Sequence, residues 1–315
     1  MLTGRPGPVG IDVPLNCFTE EADVEVPEPE LWRSGIRSGG AGDPISVEEA
    51  LKLLISTGKP CILAGNGAMV SDAGPELKKF SAMFGIPVAT TANGKGIIPE
   101  DNPLSLGVIG RNGTHMANES CRSCDVLLAV GAKFDDRQSS SWIPGYSFNI
   151  PPTRLIHVDI DPEELGRNYP PELGIQADAK SFLRELCYLA EARMKGKQGT
   201  TGPWLEGISK WREDWTEFNR TQSNSNAVPI RPERLLKDMR RVLPRDAIVV
   251  CDVGEHHNWV IQFFESYEPR TMLQSWGFAS MGFGVCGVLG AKLAAPERIC
   301  VSVCGDGGFM MTPHI

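Results

Sequence analysis

The stretch Pro60-Cys61-Ile62-Leu63-Ala64-Gly65-Asn66-Gly67 shows the pattern that organises much of the chain. An uninterrupted apolar run ends in a glycine-rich turn, and a helical pattern follows at 72–84. An apolar run without alternation predicts a strand that is buried on both faces, as in a parallel sheet. Strands of this kind are also predicted at 86–90, 125–130 and 154–160, with further helices at 114–121 and 179–195. The alternation predicts an α/β domain, a doubly wound parallel sheet over about residues 41–195.

The residues before this domain have a different character. Residues 1–18 include Pro8-Val9-Gly10-Ile11-Asp12-Val13-Pro14, which predicts a short strand at the end of a preceding domain. Residues 19–40 are rich in Glu, Pro, Gly and Ser, which is typical of a linker. Ser46, with Glu49 three residues later, is predicted to cap the first helix of the domain.

A second α/β pattern follows the first. Residues 196–228 are mostly polar and predict a linker with one amphipathic helix, 203–219, whose apolar stripe is typical of core packing. Beyond them we predict helices at 232–242, 256–264 and 279–294, with strands at 247–251, 271–274 and 298–304. Residues 229–315 are therefore expected to be the N-terminal part of a second α/β domain.

Composition excludes several classes of function. Of the 315 residues, 41% are hydrophobic and 22% charged, as in ordinary soluble globular proteins. The net charge of -8 argues against nucleic acid or an anionic membrane as the main partner. No apolar run is long enough to span a bilayer, and the first residues lack a signal-peptide pattern.

The 9 cysteines lie scattered, mostly in apolar segments, which predicts reduced core thiols and a cytoplasmic location. Cys121-Arg122-Ser123-Cys124 is a lone C-x-x-C without a second pair. We interpret it as part of the core and not as a zinc or redox site.

Four loops of the first domain follow predicted strands. They are Gly65-Asn66-Gly67, 91–96, 131–137 and 159–162, at the edge where open parallel sheets bind ligands. Asp159 could accept hydrogen bonds from ribose hydroxyls, and Arg137 could pair with a phosphate. Tight turns need glycine in any case, and Gly65-Asn66-Gly67 is not a G-x-G-x-x-G motif. Nucleotide binding and a purely structural role both stay open.

Three loops of the second domain should meet at one sheet edge. They are Gly254-Glu255-His256, Met281-Gly282-Phe283-Gly284 and Gly305-Asp306-Gly307. Glycines let the backbone approach phosphate oxygens, and an aspartate can supply one oxygen to a phosphate-bound Mg²⁺. His256 is a candidate polar site group. Met281 is either core or a wedge against a bound heterocycle.

In this order the motifs resemble those of thiamine-diphosphate-dependent enzymes of the acetolactate synthase type. Four further segments carry the resemblance through the first domain. They are Ile86-Pro87-Val88-Ala89-Thr90-Thr91, Gly110-Arg111-Asn112-Gly113-Thr114, Phe134-Asp135-Asp136-Arg137 and His157-Val158-Asp159-Ile160-Asp161. The resemblance implies a Rossmann-like central domain of the DHS-like NAD/FAD-binding type, then the start of a thiamine-diphosphate-binding domain. Residues 1–18 resemble the end of the family's pyrimidine-binding domain.

The family's site residues can be carried over by position. Thiamine diphosphate would contact Gly254, Glu255, His256, Met281, Gly282, Gly305, Gly307 and Gly308, and Asp306 would bind Mg²⁺. In members that bind FAD, the matching residues are Gly65, Gly67, Thr91, Gly113, Thr114, Arg137, Asp159, Ile160 and Asp178. The catalytic glutamate of the family belongs to the pyrimidine-binding domain, so no catalytic residue is assigned.

The resemblance implies that the parent protein decarboxylates a 2-oxo acid such as pyruvate and transfers the two-carbon unit to a second 2-oxo acid, in branched-chain amino acid biosynthesis. A homodimer or homotetramer, with a possible small regulatory subunit, follows from the same resemblance.

Other members remain alternatives: a 2-oxo acid decarboxylase, a glyoxylate carboligase or a sulfoacetaldehyde acetyltransferase. Glu255, Ala279 and Ser280 depart from the synthase pattern and leave the substrate open.

Two alternatives come from other classes: a nucleotide-binding module, and an inactive truncated product. The family's second metal ligand, an asparagine, lies well past Gly307. We therefore expect this polypeptide alone to bind thiamine diphosphate poorly.

Overall fold

Two parallel sheets organise the chain, which a computed structural model describes over residues 4–29, 39–193 and 202–315. The first sheet has six strands: β1 (Pro60–Ala64), β2 (Val88–Thr90), β3 (Ser105–Val108), β4 (Val126–Val130), β5 (Arg154–Asp159) and β6 (Leu173–Gln176). Their order is β3-β2-β1-β4-β5-β6, and every pair is parallel. The predicted doubly wound sheet is confirmed. The strand order reverses between β1 and β4, which makes the edge above them a topological switch point.

Helices cover both faces of this sheet. They are α1 (Pro44–Ser56), α2 (Asn66–Val70), α3 (Gly74–Phe84), α4 (His115–Ser123) and α5 (Ala179–Arg193). Successive strand residues point to opposite faces, so neighbouring strands supply two separate cores. Ile62, Leu128 and Ile156 are paired in register and belong to one core. The residues preceding or following them, such as Leu63 and Leu127, belong to the other.

The second domain has the same alternation of helices and parallel strands, with fewer strands. It follows α6 (Gly202–Ser223) and consists of α7 (Pro232–Val242), β7 (Ile248–Cys251), α8 (Glu255–Phe263), β8 (Met272–Gln274), α9 (Phe283–Ala294), β9 (Cys300–Val303) and α10 (Asp306–Met310). The order β8-β7-β9 is parallel throughout, so the three carboxyl ends lie at one edge. Among the helices of the described ranges, none has the length and apolar character needed to cross a membrane.

The N-terminal expectations need correction. Described residues 4–14 form no strand; Ile11 is 84% exposed, and a 3₁₀ turn follows at Leu15–Phe18. A strand needs a neighbour to bond its backbone groups, and pattern alone cannot supply one. The cap of α1 is Asp43, not Ser46: Asp43 Oδ2 accepts from Ser46 N (3.0 Å), and Pro44 suits the first helical position.

Two strands and the short helices α2 and α10 were not predicted, and one helix start was predicted wrongly. The strands β3 and β6 were missed because each is short, lies at a sheet edge and contains a glycine, which weakens the strand pattern. The helix predicted at 279–294 begins at Phe283, because Gly282 before it adopts a left-handed conformation with φ of 90°. The end of the predicted helix 179–195 lies outside the described residues.

Helix α6 packs against both domains. Trp204 and Ile208 are buried in the first domain, as the apolar stripe predicted, and Trp204 Nε1 donates to Pro60 O (3.0 Å). Further along, the Trp215 ring stacks on Phe263 of α8, with 5.8 Å between centroids. The segment predicted as a linker therefore contains a structural element shared by the two domains.

The buried cysteines form a cluster of thiols. Cys61 Sγ lies 3.9 Å from Cys121 Sγ, Cys124 is buried beside them, and all three are free. The hydrogen bond to Cys61 and burial raise the pKa of Cys121 well above its ordinary value. Cys61, Cys121 and Cys124 pack among the apolar residues of one core of the first domain, in agreement with the interpretation of the C-x-x-C as part of the core. Cys286 is exposed, contrary to the prediction for that residue.

Candidate functional site

Three loops meet at the carboxyl edge of the second sheet. They follow β7, β8 and β9 and carry His256, Met281 and residues 305–308. A Cβ added at Gly307 would lie 3.3 Å from Met281 Cε, and one added at Gly305 would lie 3.8 Å from the His256 ring. The loops therefore converge as the sequence predicted.

Glycine is required at two positions of this site. Gly282 has a φ of 90°, a left-handed conformation that side chains disfavour. A Cβ at Gly308 would lie 2.2 Å from Asp252 Oδ2, so no larger residue fits there without movement. The turn after Met281 and the start of α10 are thus built from close backbone approaches.

The polar groups of the site differ in their bonding. His256 Nε2 is buried and has no hydrogen-bond partner within the described part of the chain. The carboxylate of Asp306 is exposed, and its Oδ1 accepts from Gly307 N (2.8 Å). Glu255 is also exposed and accepts from Asn258 Nδ2 (3.2 Å). A half-buried imidazole whose buried Nε2 is unpaired in this part of the chain, beside an exposed carboxylate and a glycine-rich turn, fits a polar ligand that carries phosphate.

The sequence patterns assign no role to Asp252. This residue directly follows β7, and its side chain is fully buried. Its Oδ1 and Oδ2 accept from Gly282 N (3.1 and 3.0 Å), and Oδ1 also accepts from Val253 N (2.8 Å). The available signal was an acidic residue directly after a buried strand, where burial of a charge demands partners.

A cavity of about 640 Å³ opens at the carboxyl edge of the first sheet. Five of the nine residues predicted to contact FAD line it: Gly67, Thr91, Asp159, Ile160 and Asp178. Arg5 and Lys133 add positive charge to its wall. The cavity lies at the switch point of the sheet, the expected ligand position in this architecture. Its volume and mixed charge fit a nucleotide.

Glycines at this edge allow two turns to cross. A Cβ at Gly65 would lie 2.0 Å from Gly131 O, and one at Gly67 would lie 2.8 Å from Gly131 Cα. Gly65 therefore serves the packing of the turns after β1 and β4 and does not line the cavity.

Three more predicted FAD residues lie outside the cavity wall. A Cβ at Gly113 would lie 2.3 Å from Val108 O, which marks a tight turn. Thr114 Oγ1 donates to Leu106 O (2.6 Å) and accepts from Ala117 N (3.2 Å), so this hydroxyl caps α4.

The remaining residue, Arg137, lies over the indole of Trp276, 5.5 Å from its centroid. Trp276 belongs to the second domain, yet it lines the cavity of the first. The His257 ring also contacts Trp276, edge-on, with 4.9 Å between the ring centroids. His257 Nε2 lies 2.7 Å from Gln274 Oε1, and Gln274 Nε2 donates to Ala92 O. The cavity is therefore bounded by both domains.

Two carboxylates of the cavity have structural partners. Asp159 Oδ1 accepts from Asp161 N (3.0 Å), and burial raises the pKa of Asp159. Asp178 Oδ1 accepts from Ser181 N (2.9 Å) at the start of α5. Each carboxylate keeps a second oxygen that can accept from a ligand hydroxyl.

A doubly wound sheet with a nucleotide-sized cavity, followed by a second parallel sheet with a glycine-rich acidic edge, defines a cofactor-binding α/β protein. Residues 47–186 match the model described as thiamine pyrophosphate enzyme, central domain. Residues 252–314 match the model described as thiamine pyrophosphate enzyme, C-terminal TPP binding domain. The chain belongs to the thiamine pyrophosphate enzyme family.

Several curated proteins are similar over nearly the whole chain. The probable acetolactate synthase large subunit of Methanocaldococcus jannaschii is 38% identical, over 98% of this chain and 52% of the relative. The acetolactate synthase large subunit of Corynebacterium glutamicum is 33% identical, over 99% and 48%. Acetolactate synthase 1, chloroplastic, of Zea mays is 33% identical, over 98% and 47%. The chain spans about half the length of these relatives.

Proposed function

We propose that the protein is a thiamine-diphosphate- and Mg²⁺-dependent carboligase of the acetolactate synthase type. It would decarboxylate a 2-oxo acid such as pyruvate and join the two-carbon unit to a second 2-oxo acid. The convergence of His256, Met281 and the Gly305–Gly308 loop at one sheet edge carries this proposal. The matches to acetolactate synthase large subunits support it.

The diphosphate end of the cofactor is assigned to the loop after β9. Backbone N–H groups at Gly305 and Gly308 can reach phosphate oxygens because no side chain intervenes. The N–H of Gly307 would exchange its bond to Asp306 Oδ1 for one to a phosphate oxygen. Asp306 would give one carboxylate oxygen to Mg²⁺, a cation that usually takes few protein ligands and shares the diphosphate.

The ring end is assigned to the other two loops. When bound, thiamine diphosphate would supply the ring carbon that adds to the 2-oxo acid, and its ring would take up the electron pair that remains when CO₂ leaves. The Met281 thioether would pack against one face of the cofactor rings. Gly282 and Gly254 have no side chain, so the cofactor could approach the backbone there. His256 Nε2, which lacks a partner within the described ranges, would bond the cofactor or substrate, and Glu255 would lie beside it.

Calorimetric titration tests the cofactor assignment. In the full-length gene product, thiamine diphosphate should bind with Mg²⁺ present and bind much more weakly after chelation. Asp306→Asn should lower the affinity at least about tenfold by removing charge from the metal site. Asp214→Asn is the control, because Asp214 is exposed on α6, away from the site. Equal affinities in the two variants would contradict the metal assignment.

Product analysis tests the reaction. With pyruvate, CO₂ release together with acetolactate supports the carboligase. Acetaldehyde as the sole organic product would indicate a 2-oxo acid decarboxylase instead. Turnover that requires glyoxylate or sulfoacetaldehyde would indicate the other two family alternatives.

The cavity of the first domain is proposed to bind FAD. Its position at the switch point and the carboxylates Asp159 and Asp178 support a nucleotide with ribose hydroxyls. Equilibrium binding of FAD, NAD and ADP to the purified protein discriminates the candidates. Tight binding of one nucleotide without any binding of thiamine diphosphate would favour the nucleotide-binding module.

We also propose that the protein works in the cytoplasm as a homodimer or homotetramer, with a small regulatory subunit as a further partner. Nucleic acid and membranes are not proposed as partners. We further propose that residues 1–18 end a preceding domain, residues 41–195 form the central domain and residues 229–315 form the N-terminal part of the next one. Light scattering of the purified protein, alone and with a co-expressed small subunit, measures its assembly.

A further inference from the structure

A fully buried carboxylate lies beneath the three loops of the second sheet. Asp252 has no exposed surface, and its oxygens face backbone N–H groups of Val253 and Gly282 at 2.8–3.1 Å. Burial of a carboxylate is costly unless hydrogen bonds compensate it. A carboxylate buried in this position is therefore expected to stabilise the backbone around it.

The compensation comes from the loop that follows β8. Gly282 caps α9, and its N–H points at both carboxylate oxygens. The N-terminal end of a helix carries partial positive charge, which stabilises an anion near it. Asp252 thereby fixes the left-handed turn directly after Met281, and so the direction in which the Met281 side chain leaves the backbone.

The same carboxylate limits the loop that follows β9. A Cβ at Gly308 would lie 2.2 Å from Asp252 Oδ2, so the backbone at Gly308 rests against this oxygen. One side chain, directly after the central strand β7, therefore contacts the loops that follow both neighbouring strands, β8 and β9.

We propose that Asp252 is the positioning residue of the thiamine diphosphate site: it holds the Met281–Gly282 turn and the Gly305–Gly308 loop at the spacing that the cofactor requires. This inference rests on the proposed cofactor. It assigns Asp252 no contact with the cofactor or the substrate.

The first experiment compares Asp252→Ala and Asp252→Asn in the full-length gene product. Alanine leaves the Gly282 N–H without its acceptor, and we expect thiamine diphosphate affinity to fall about tenfold or more. Asparagine keeps one acceptor oxygen of the same shape and should restore part of the affinity. Ser302→Ala is the control, because Ser302 Oγ is buried on β9 and has no hydrogen-bond partner within the described ranges.

The second experiment tests the contact with Gly308. Gly308→Ala places a methyl group against Asp252 Oδ2 and should weaken cofactor binding strongly. In an Asp252→Ala background the methyl group has room, so the additional loss from Gly308→Ala should be small. Such coupling is measured from the four dissociation constants. Thermal unfolding midpoints and near-UV circular dichroism show whether each variant is folded.

Each outcome decides a separate question. If the unaltered protein does not bind thiamine diphosphate, the proposed function fails and the role of Asp252 fails with it. If the unaltered protein binds but folded Asp252→Ala binds equally well, only the positioning role is overturned. Additive losses in the double variant, or no recovery with asparagine, would likewise overturn it. If Asp252→Ala does not fold, the comparison of Asp252→Asn with Ser302→Ala decides, and equal affinities overturn the role.

Discussion

At the scale of single residues, substitution of Met281 is the most direct test of cofactor binding at the site. It is 45% exposed, although methionine prefers burial, and it reaches toward Gly307. An exposed thioether next to a glycine loop is expected where a ligand covers it.

We predict that Met281→Ala lowers cofactor affinity and turnover at least about tenfold, because the support below the ring is lost. Met281→Leu keeps similar volume and should retain most of both. Isothermal titration and steady-state kinetics measure the two effects. Equal behaviour of the alanine variant and the unaltered protein would argue against any contact with the cofactor.

A buried histidine gives a pH prediction at the same scale. His157 is 1% exposed on β5, its Nε2 lies 2.9 Å from Ala132 O, and burial lowers its pKa. In the unfolded chain the group binds a proton below about pH 6.5. The unfolded state therefore holds more protons on the acid side, and stability falls as pH drops below 6.5 toward the folded-state pKa.

We predict that His157→Gln loses less stability than the unaltered protein as the pH falls from 7 to 5. Asp159 and Glu100, whose pKa values are raised by burial, contribute the opposite slope in both proteins. One such histidine contributes a slope of at most about 1.4 kcal/mol per pH unit. His257, whose pKa is also lowered by burial, would leave a residual slope. The exposed His314→Gln serves as the control. An unchanged slope in His157→Gln would contradict the assignment of this pH dependence to His157.

At the scale of elements, α6 shows how a predicted linker becomes structural. Its amphipathic pattern predicted core packing, and the burial of Trp204 and Ile208 confirms it. The pattern could not reveal that one end packs on the first domain and the other on Phe263 of the second, because a hydrophobic stripe does not name its partner.

Trp204→Ala should destabilise the protein by about 3–5 kcal/mol through loss of a buried indole. Trp204→Phe should cost about 1 kcal/mol, since mainly the hydrogen bond to Pro60 O is lost. Phe218 in the same helix is 71% exposed, and its replacement by alanine should change stability by less than about 0.5 kcal/mol. Urea unfolding followed by circular dichroism compares the three.

The strands show which elements a sequence can reveal. Interior strands such as β1 and β4 are apolar throughout and were predicted within a residue or two. The edge strands β3 and β6 were not, because their stability depends on a neighbouring strand. The loops that follow these strands were located together with the strands themselves. The candidate site could be predicted for that reason.

At the scale of the whole molecule, a buried ion pair of the first domain is hydrogen-bonded to the second domain. Lys95 Nζ lies 2.7 Å from Glu100, whose other contact is Ser266 N of the second domain (2.7 Å). Lys95 and Glu100 are 3% and 8% exposed. The exposed pairs Arg245–Asp101 and Arg270–Asp72 join the same domains nearby. Such contacts between distant segments leave no periodic signal in a sequence.

Glu100→Gln should destabilise the protein by about 3–5 kcal/mol, because it leaves the Lys95 ammonium buried without its counter-charge. Replacing both residues by methionine should cost less than this single change. Glu217→Gln breaks a pair whose members are both about two-thirds exposed and should have little effect. Denaturant titration measures all three, and equal effects of Glu100→Gln and Glu217→Gln would refute the prediction.

The arrangement of thiols has a practical consequence for chemical labelling. Cys17 and Cys286 are exposed, Cys300 and Cys304 are half-buried, and the other five cysteines are buried. Reagents that attack the thiolate reach a cysteine only if it is accessible and deprotonated, and burial opposes both. Alkylation under native conditions should therefore be fast at two positions and very slow at Cys61, Cys121 and Cys124. Mass spectrometry of labelled protein would then report opening of the first domain from the modification of these three residues.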